Sequence, residues 1–361
     1  MNEHTVSLYK KTLDVMGGCV DEVFLSAPRI ARPFKKPRNI GRAEYERQVD
    51  FYFENGVVEN PTGFFTVSDE VPEHRVVEDK PYKDGRFQVL SWDSVYQVKN
   101  PLIRDRYLSF PENRTGYLVR WVHPEPPGKT VLCLHGYMLG EPDQAHRMFH
   151  VEKLYAMGLD VALFITPFHW RRAPASRLLR GIFVQTDDVV MSLEAMGQSM
   201  ADLHTARLLL EKLEAGAIGF IGASLGGYNA ALYSCLSDRH AFAAMMVPAV
   251  NFSKPYGPAF ARLPFEIEPS FMEKIVKVWE LPSPLNHRPK LDTDRMLFVA
   301  SRGDRLCPFE YLVELQKRWN FKNYRYMTGG HWLIFNERVR GRAWYGFLGE
   351  MGFIETTRHL L

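Results

Sequence analysis

At 361 residues with 46% hydrophobic content, the chain can bury a large core and has room for more than one minimal domain. Its 45 basic and 42 acidic residues nearly cancel to a formal charge of +3, which excludes a global nucleic-acid footprint. No uninterrupted apolar run approaches the roughly 18 residues that span a bilayer, and Met1 to Ser7 lacks the basic-then-apolar pattern of a secretory signal, so no transmembrane segment and no export are expected. The four cysteines, Cys19, Cys133, Cys235 and Cys307, have no paired spacing. They read as reduced thiols of a cytoplasmic protein rather than a disulfide framework.

In the first 85 residues, Val6, Leu8, Leu13, Met16, Val20 and Val23 recur at loosely helical spacing, and Ala43 to Asn55 reads as a second helix ended by Gly56. Between them, Pro28 to Arg42 carries six basic residues (Arg29, Arg32, Lys35, Lys36, Arg38 and Arg42) and no acid. A solvated connector is the expected role, with contact to an anionic surface or partner as the alternative. Residues 1–85 are thus expected to be an N-terminal helical extension, packed on the rest of the chain or on a second subunit of a homodimer.

From Arg86 strands and helices alternate. Phe87 to Val98 and Gly116 to His123 read as the first strands, and Lys129 to Leu134 as an apolar strand ending in His135-Gly136. A helix over Gln144 to Met157 follows, then a strand over Leu159 to Ile165. His146 and His150 stand four apart on that helix, a spacing that can hold a metal. Glu152 points off that face, however, and Arg147 occupies the position where a zinc protease needs Glu, so no metal is expected. No dinucleotide or phosphate-cradling glycine motif occurs, and no cofactor is expected. Asp188 to Leu213 has Val189, Leu193, Met196, Met200, Leu203 and Leu210 on one face and reads as a long amphipathic helix covering a sheet.

The run Ile218 to Gly227 carries the chemistry: an apolar strand ends in Gly222-Ala223-Ser224-Leu225-Gly226. Small residues on both sides of Ser224 permit a sharp strand-to-helix turn that holds the hydroxyl above the sheet. A serine hydroxyl is a poor nucleophile at neutral pH, so the turn implies a base and an oxyanion-binding donor pair. Downstream, Arg295 to Asp304 reads as a buried strand ending in an acid. Tyr324 to Met327 is a short strand followed by Thr328-Gly329-Gly330-His331, a glycine-rich loop presenting a histidine. Ser224, Asp304 and His331 then form a candidate triad. Asp304 competes with Asp292 and Asp294, which precede the strand, and with a bland role as a helix N-cap. His135 reads as a structural hydrogen-bonding residue.

These elements, in this order, resemble the α/β-hydrolase superfamily from about Arg86 to the C-terminus. The resemblance implies a doubly wound, mostly parallel α/β sheet over 86–361 with a lid insertion at 252–289. It makes Ser224 the nucleophile, His331 the general base and acid, and Asp304 the group that orients the imidazole. The backbone N–H groups of Leu225 and of Tyr137 or Met138 become the oxyanion hole. A strand over Ala241 to Val250 runs into Asn251-Phe252-Ser253 and offers no acid, which favours Asp304. Two segments are expected to shape specificity. His169, Trp170, Arg171 and Arg172 follow a strand at the same sheet edge and suit an anionic substrate group, unless the arginines pair with acids such as Asp187 and Asp188. Phe260, Phe265, Phe271, Met272 and Trp279 in the lid suit an acyl pocket or simply pack the lid down. The implied activity is hydrolysis of a small-molecule carboxylic ester, with a serine peptidase or amidase, or a non-catalytic scaffold of the same fold, as alternatives.

Overall fold

The computed structural model describes residues 3–31, 40–174, 183–184, 188–253 and 265–355. Apolar runs such as Val131-Leu132-Cys133-Leu134 and Phe298-Val299-Ala300 are covered on both faces, as strands inside a parallel sheet must be. Among the described residues nine strands make one sheet: β1 (His74–Tyr82), β2 (Gly85–Asp93), β3 (Thr115–Val122), β4 (Lys129–Leu134), β5 (Asp160–Phe164), β6 (Ala217–Ala223), β7 (Ala243–Met246), β8 (Met296–Ser301) and β9 (Tyr324–Met327). Their order is β1-β2-β3-β5-β4-β6-β7-β8-β9. β1, β2, β3 and β5 are joined antiparallel, and every pairing from β5 to β9 is parallel.

The described helices are α1 (Glu3–Ala31), α2 (Arg42–Glu54), α3 (Pro61–Phe64), α4 (Arg104–Leu108), α5 (Pro142–Phe149), α6 (Val151–Ala156), α7 (Val189–Lys212), α8 (Leu225–Leu236), α9 (Pro269–Glu280), α10 (Phe309–Trp319) and α11 (Glu337–Glu350). Apolar residues of α2, α7, α8, α9 and α10 fill the core on one face of the sheet. Those of α5, α6 and α11 fill the core on the other. None of the described helices is long and apolar enough to cross a membrane.

The register places the chemistry. Leu134 lies beside Gly222, Ala223 beside Met246, Met246 beside Val299, and Ser301 beside Met327. The carboxyl ends of β4, β6, β8 and β9 therefore share one edge, where open α/β sheets place their ligands.

Four sequence expectations need correction. The sheet begins upstream of residue 86: β1 pairs along the whole of β2, so the extension is not purely helical and a boundary at Arg86 cuts a hairpin. β1 shows no apolar alternation because it is a polar edge strand, exposed or half-exposed throughout, with Pro81 tolerated near its end. β2 ends at Asp93, and Ser94 to Val98 leave the sheet to bond with α7 instead. The helix over 144–157 is two helices, divided at His150, which takes a left-handed φ of 52°. α7 is not amphipathic: its residues from Val189 to Leu210 are all buried, because α8, α9 and β3 pack against it and Tyr45 and Tyr52 of α2 bond to it. Of the basic connector, residues 32–39 lie outside the described residues. So does Phe260 of the lid segment, in which Phe271 and Trp279 are buried in the core and Phe265 packs against it.

The turn that carries Ser224 depends on close approach of backbones. A Cβ on Gly226 would lie 1.8 Å from the Leu134 carbonyl oxygen and 2.8 Å from that of His135. Both obstacles are main chain and cannot swing aside. Gly226→Ala is expected to lower stability by on the order of 3 kcal/mol, measured as a fall in the urea midpoint at unchanged slope.

Candidate active site

Ser224 sits between β6 and α8 with φ 55° and ψ −114°, a conformation that costs a non-glycine residue energy and persists only where its surroundings enforce it. They do so here. Its N–H donates to the Met246 carbonyl at 2.8 Å, and its carbonyl accepts from Tyr228 at 3.0 Å and Ala249 at 3.3 Å. Gly222 and Gly226 cross so closely that a Cβ on Gly222 would lie 2.1 Å from the Gly226 oxygen. The side chain is left half-exposed at the sheet edge.

Asp304 and His331 come from the loops after β8 and β9. The buried Asp304 accepts from His331 Nδ1 through Oδ2 at 2.7 Å. Its Oδ1 accepts from the N–H groups of Leu306 at 2.9 Å and Cys307 at 2.7 Å. One oxygen thus caps the turn into α10 and the other fixes the imidazole, so both readings of this acid hold together. Asp292 caps its own short turn by accepting from Asp294 N–H.

Burial opposes charge on His331, but the Asp304 carboxylate and the neighbouring Cys307 outweigh it and hold the imidazole pKa well above the ordinary histidine value. Burial in turn raises the Asp304 carboxyl, against the pull of His331. The Cys307 thiol is raised by burial, while the side chains of His331 and Ser224 act to lower it. Ligand atoms of Asp304, Cys307 and His331 lie within 4.8 Å of one another, a spacing a metal can use. The Asp304 oxygens are already committed to His331 and two backbone N–H groups.

The loop after β4 approaches the serine from the other side. A Cβ on Gly136 would lie 3.7 Å from Ser224 Cβ, so the backbone of Tyr137 and Met138 starts beside Ser224, with Met138 at φ 64°. Beneath it, His135 Nε2 accepts from Thr166 N–H at 3.1 Å, which assigns its proton to Nδ1, donated to the Gly136 carbonyl at 2.9 Å. Burial lowers the His135 pKa to about 4, consistent with a structural role. His169 is buried too, lowered to about 3, and bonds the Pro167 carbonyl through Nδ1 while its ring packs on Tyr137.

Arg171 and Arg172 are not arranged as a substrate clamp. Arg172 is fully buried, donates to Asp202 Oδ2 at 2.6 Å and reaches the carbonyls of Ile165 and Asn113. Arg171 donates to Glu78 Oε2 at 2.7 Å on β1 and stacks over Trp170, whose ring also packs on Tyr117. Their acids come from elements the sequence did not bring near. Asp188 pairs with Arg106 instead, and Asp187 lies outside the described residues. The two histidines of the discarded metal reading also diverge: His146 packs on Trp121 and Tyr82, and His150 bonds Tyr345.

Two acids of the N-terminal helix, passed over in the sequence, reach this site. Asp14 accepts from Gly329 N–H at 2.9 Å, and the buried Asp21 accepts from the N–H groups of His331, Trp332 and Arg305. Their signal was the pair Gly17-Gly18 within a helical run, which weakens a helix unless something packs closely on it.

Comparison with known proteins agrees with this architecture. No family model matches the chain. Two uncharacterised proteins of Mycobacterium tuberculosis, from strains CDC 1551 and H37Rv, are each 25% identical over 345 residues, covering 94% of this chain and 82% of theirs. Among solved structures, acetyl xylan esterase 1 from Thermoanaerobacterium sp. JW/SL YS485 aligns with a TM-score of 0.55 at 13% identity, over 87% of this chain and 99% of its own. The acetyl xylan esterase from Paenibacillus sp. R4 aligns with a TM-score of 0.52 at 16% identity, over 82% of this chain and 92% of its own. The chain has the α/β-hydrolase fold.

The burial of Arg172 has a measurable consequence. Arg172→Ala leaves Asp202 as an unpaired buried charge and is expected to cost about 3–5 kcal/mol of stability, read by thermal or denaturant unfolding. A change in preference between anionic and neutral esters, without loss of stability, would point back to a substrate role.

Proposed function

We propose that the protein is a serine hydrolase of small carboxylic esters, with Ser224, His331 and Asp304 as its triad. The observation that carries this reading is the 2.7 Å bond from His331 Nδ1 to Asp304, presented at the same sheet edge as the strained Ser224 turn. Two aligned structures are acetyl xylan esterases, which supports an ester over an amide as the substrate class. The described thiols, exposed Cys19 and buried Cys133 and Cys235 among them, are unpaired, which supports a reducing, cytoplasmic setting.

In this mechanism Ser224 Oγ attacks the ester carbonyl while His331 Nε2 takes its proton. Asp304 holds Nδ1–H in place and stabilises the imidazolium. Negative charge on the carbonyl oxygen is received by the N–H of Leu225 at the start of α8 and by that of Tyr137 or Met138; one such donor contributes about 3–4 kcal/mol to the transition state. The tetrahedral adduct collapses, and His331 returns the proton to the departing alcohol. Water, deprotonated by the same imidazole, then releases the acid and restores Ser224. His135 and His169, held neutral by burial, leave the proton transfers to His331.

Ser224→Ala is expected to abolish labelling by a fluorophosphonate probe and to lower turnover of a nitrophenyl ester by at least about a thousandfold. Strong labelling of the folded variant would remove Ser224 from its role. Failure of the wild type to react with any acylating probe would favour a scaffold.

The base works only when neutral, so kcat/KM should rise with pH through the His331 pKa. Because that pKa is raised, the midpoint of the rise is expected above about 6.5. Asp304→Asn removes the charge that favours the imidazolium. It should shift the midpoint to lower pH and reduce kcat by on the order of 10⁴.

A further inference from the structure

We infer that the N-terminal helix α1 is part of the catalytic apparatus, with Asp21 as the positioning residue for the base His331. The inference rests on the hydrolase reading above and adds a residue that its chemistry does not itself use. The His331 loop follows β9, a four-residue strand at the rim of the sheet with β8 as its one neighbour. Few sheet bonds are available to hold such a loop in one conformation, and its backbone donors need partners if they are buried.

α1 supplies them. Asp21 is fully buried, and its carboxylate accepts from His331 N–H at 2.7 Å through Oδ2 and 2.9 Å through Oδ1, and from Trp332 N–H at 3.1 Å. The same Oδ2 accepts from Arg305 N–H at 2.9 Å, the residue next to Asp304. One side chain therefore ties the base loop to the acid loop, and charge-assisted bonds of this kind are about twice as strong as neutral ones. One turn or two earlier, Asp14 holds Gly329 N–H at 2.9 Å.

The fit of the helix is set by glycines on both sides. A Cβ on Gly17 would lie 1.9 Å from Gly330 N, one on Gly18 2.9 Å from the Gly303 oxygen, and one on Gly303 2.1 Å from the Asp14 oxygen. Residues 14, 17, 18 and 21 share one helical face. Val15 and Met16, off that face, are 61% and 49% exposed. This stretch of α1 is thus joined to the molecule by its contact with the two catalytic loops. Loss of Asp21 would leave three backbone donors without their acceptor, and the loop would move to find water, taking the imidazole out of line with Asp304 and Ser224. A displacement of about 1 Å in a catalytic group can cost 10²-fold in rate.

The test uses the full chain with Asp21→Ala, Asp21→Asn and Gly17→Ala, and Val15→Ala as the control. Kinetics on nitrophenyl acetate are paired with the deshielded Nδ1–H proton signal of His331, assigned by its loss in His331→Ala, and with thermal melts. Asp21→Ala and Gly17→Ala are expected to lower kcat roughly 10- to 100-fold with KM within about twofold, and to lose or shift the Nδ1–H signal in protein that is folded at the assay temperature. Asp21→Asn keeps one acceptor oxygen but turns its NH2 toward the other backbone donors, so its kcat should fall between those of Asp21→Ala and wild type, while Val15→Ala matches wild type. A kcat within about twofold of wild type for folded Asp21→Ala, or an unchanged His331 signal, overturns the inference. If Asp21→Ala does not fold, Gly17→Ala decides by the same criteria. Should the wild type prove inert toward esters, the hydrolase reading fails separately and the proton signal alone decides: its loss in Asp21→Ala supports positioning, and its persistence refutes it.

Discussion

The approach of α8 to the end of β4 is the constraint on which the site is built. With Gly226 against the Leu134 carbonyl and Gly222 against Gly226, the chain has no room to leave β6 by a relaxed turn. Ser224 is driven to positive φ, its N–H and carbonyl are fixed by Met246, Tyr228 and Ala249, and its side chain has one way out, toward the sheet edge. The strain is stored locally and sustained by the packing of β4, β6 and α8, which bury nearly every residue they contain. Because β8 and β9 continue the same parallel array, the loops that carry Asp304 and His331 open at that edge, where Asp21 of α1 ties them together.

A second organising group lies below the first. Glu194, buried in the second turn of α7, accepts from Tyr96 Oη at 2.7 Å, from the N–H groups of Lys99 at 2.8 Å and Asn100 at 2.9 Å, and from Tyr52 Oη of α2 at 3.4 Å. Asn100 in turn donates to the Gln48 carbonyl at 2.9 Å. Burial raises the Glu194 carboxyl, and four donors compensate for its removal from water. The network joins α2, the loop after β2 and α7. The N-terminal segment is therefore bound to α7 and the sheet by buried polar bonds as well as by Tyr45, Val49 and Tyr52 in the core.

What the sequence revealed and what it hid follow from range. The succession of strands along the chain, the turn at Ser224 and the loops of Asp304 and His331 are local patterns: an apolar run followed by Gly-x-Ser-x-Gly, by Gly-Asp, or by Gly-Gly-His. Each can be recognised within about ten residues, and the parallel sheet then places them together. The partners of Arg171, Arg172 and Asp21 lie far away in the chain, on β1, α7 and the β9 loop, and no local pattern announces them. β1 escaped notice because an edge strand needs little apolar alternation. The full burial of α7 escaped notice because Glu194, Asp202 and Arg207 mimic a solvent face while bonding inward.

The bond between Asp21 and the His331 backbone spans 310 residues of sequence. Contacts of such separation form late, since the loop they close must first be ordered. During synthesis the helix that carries Asp21 emerges 310 residues before His331. The turn at Ser224 can be complete on a nascent chain while the His331 loop has still to meet its anchor. The placement of the His331 loop thus waits on a contact between segments made far apart in time, and a product truncated before residue 331 would carry the Ser224 turn without that loop.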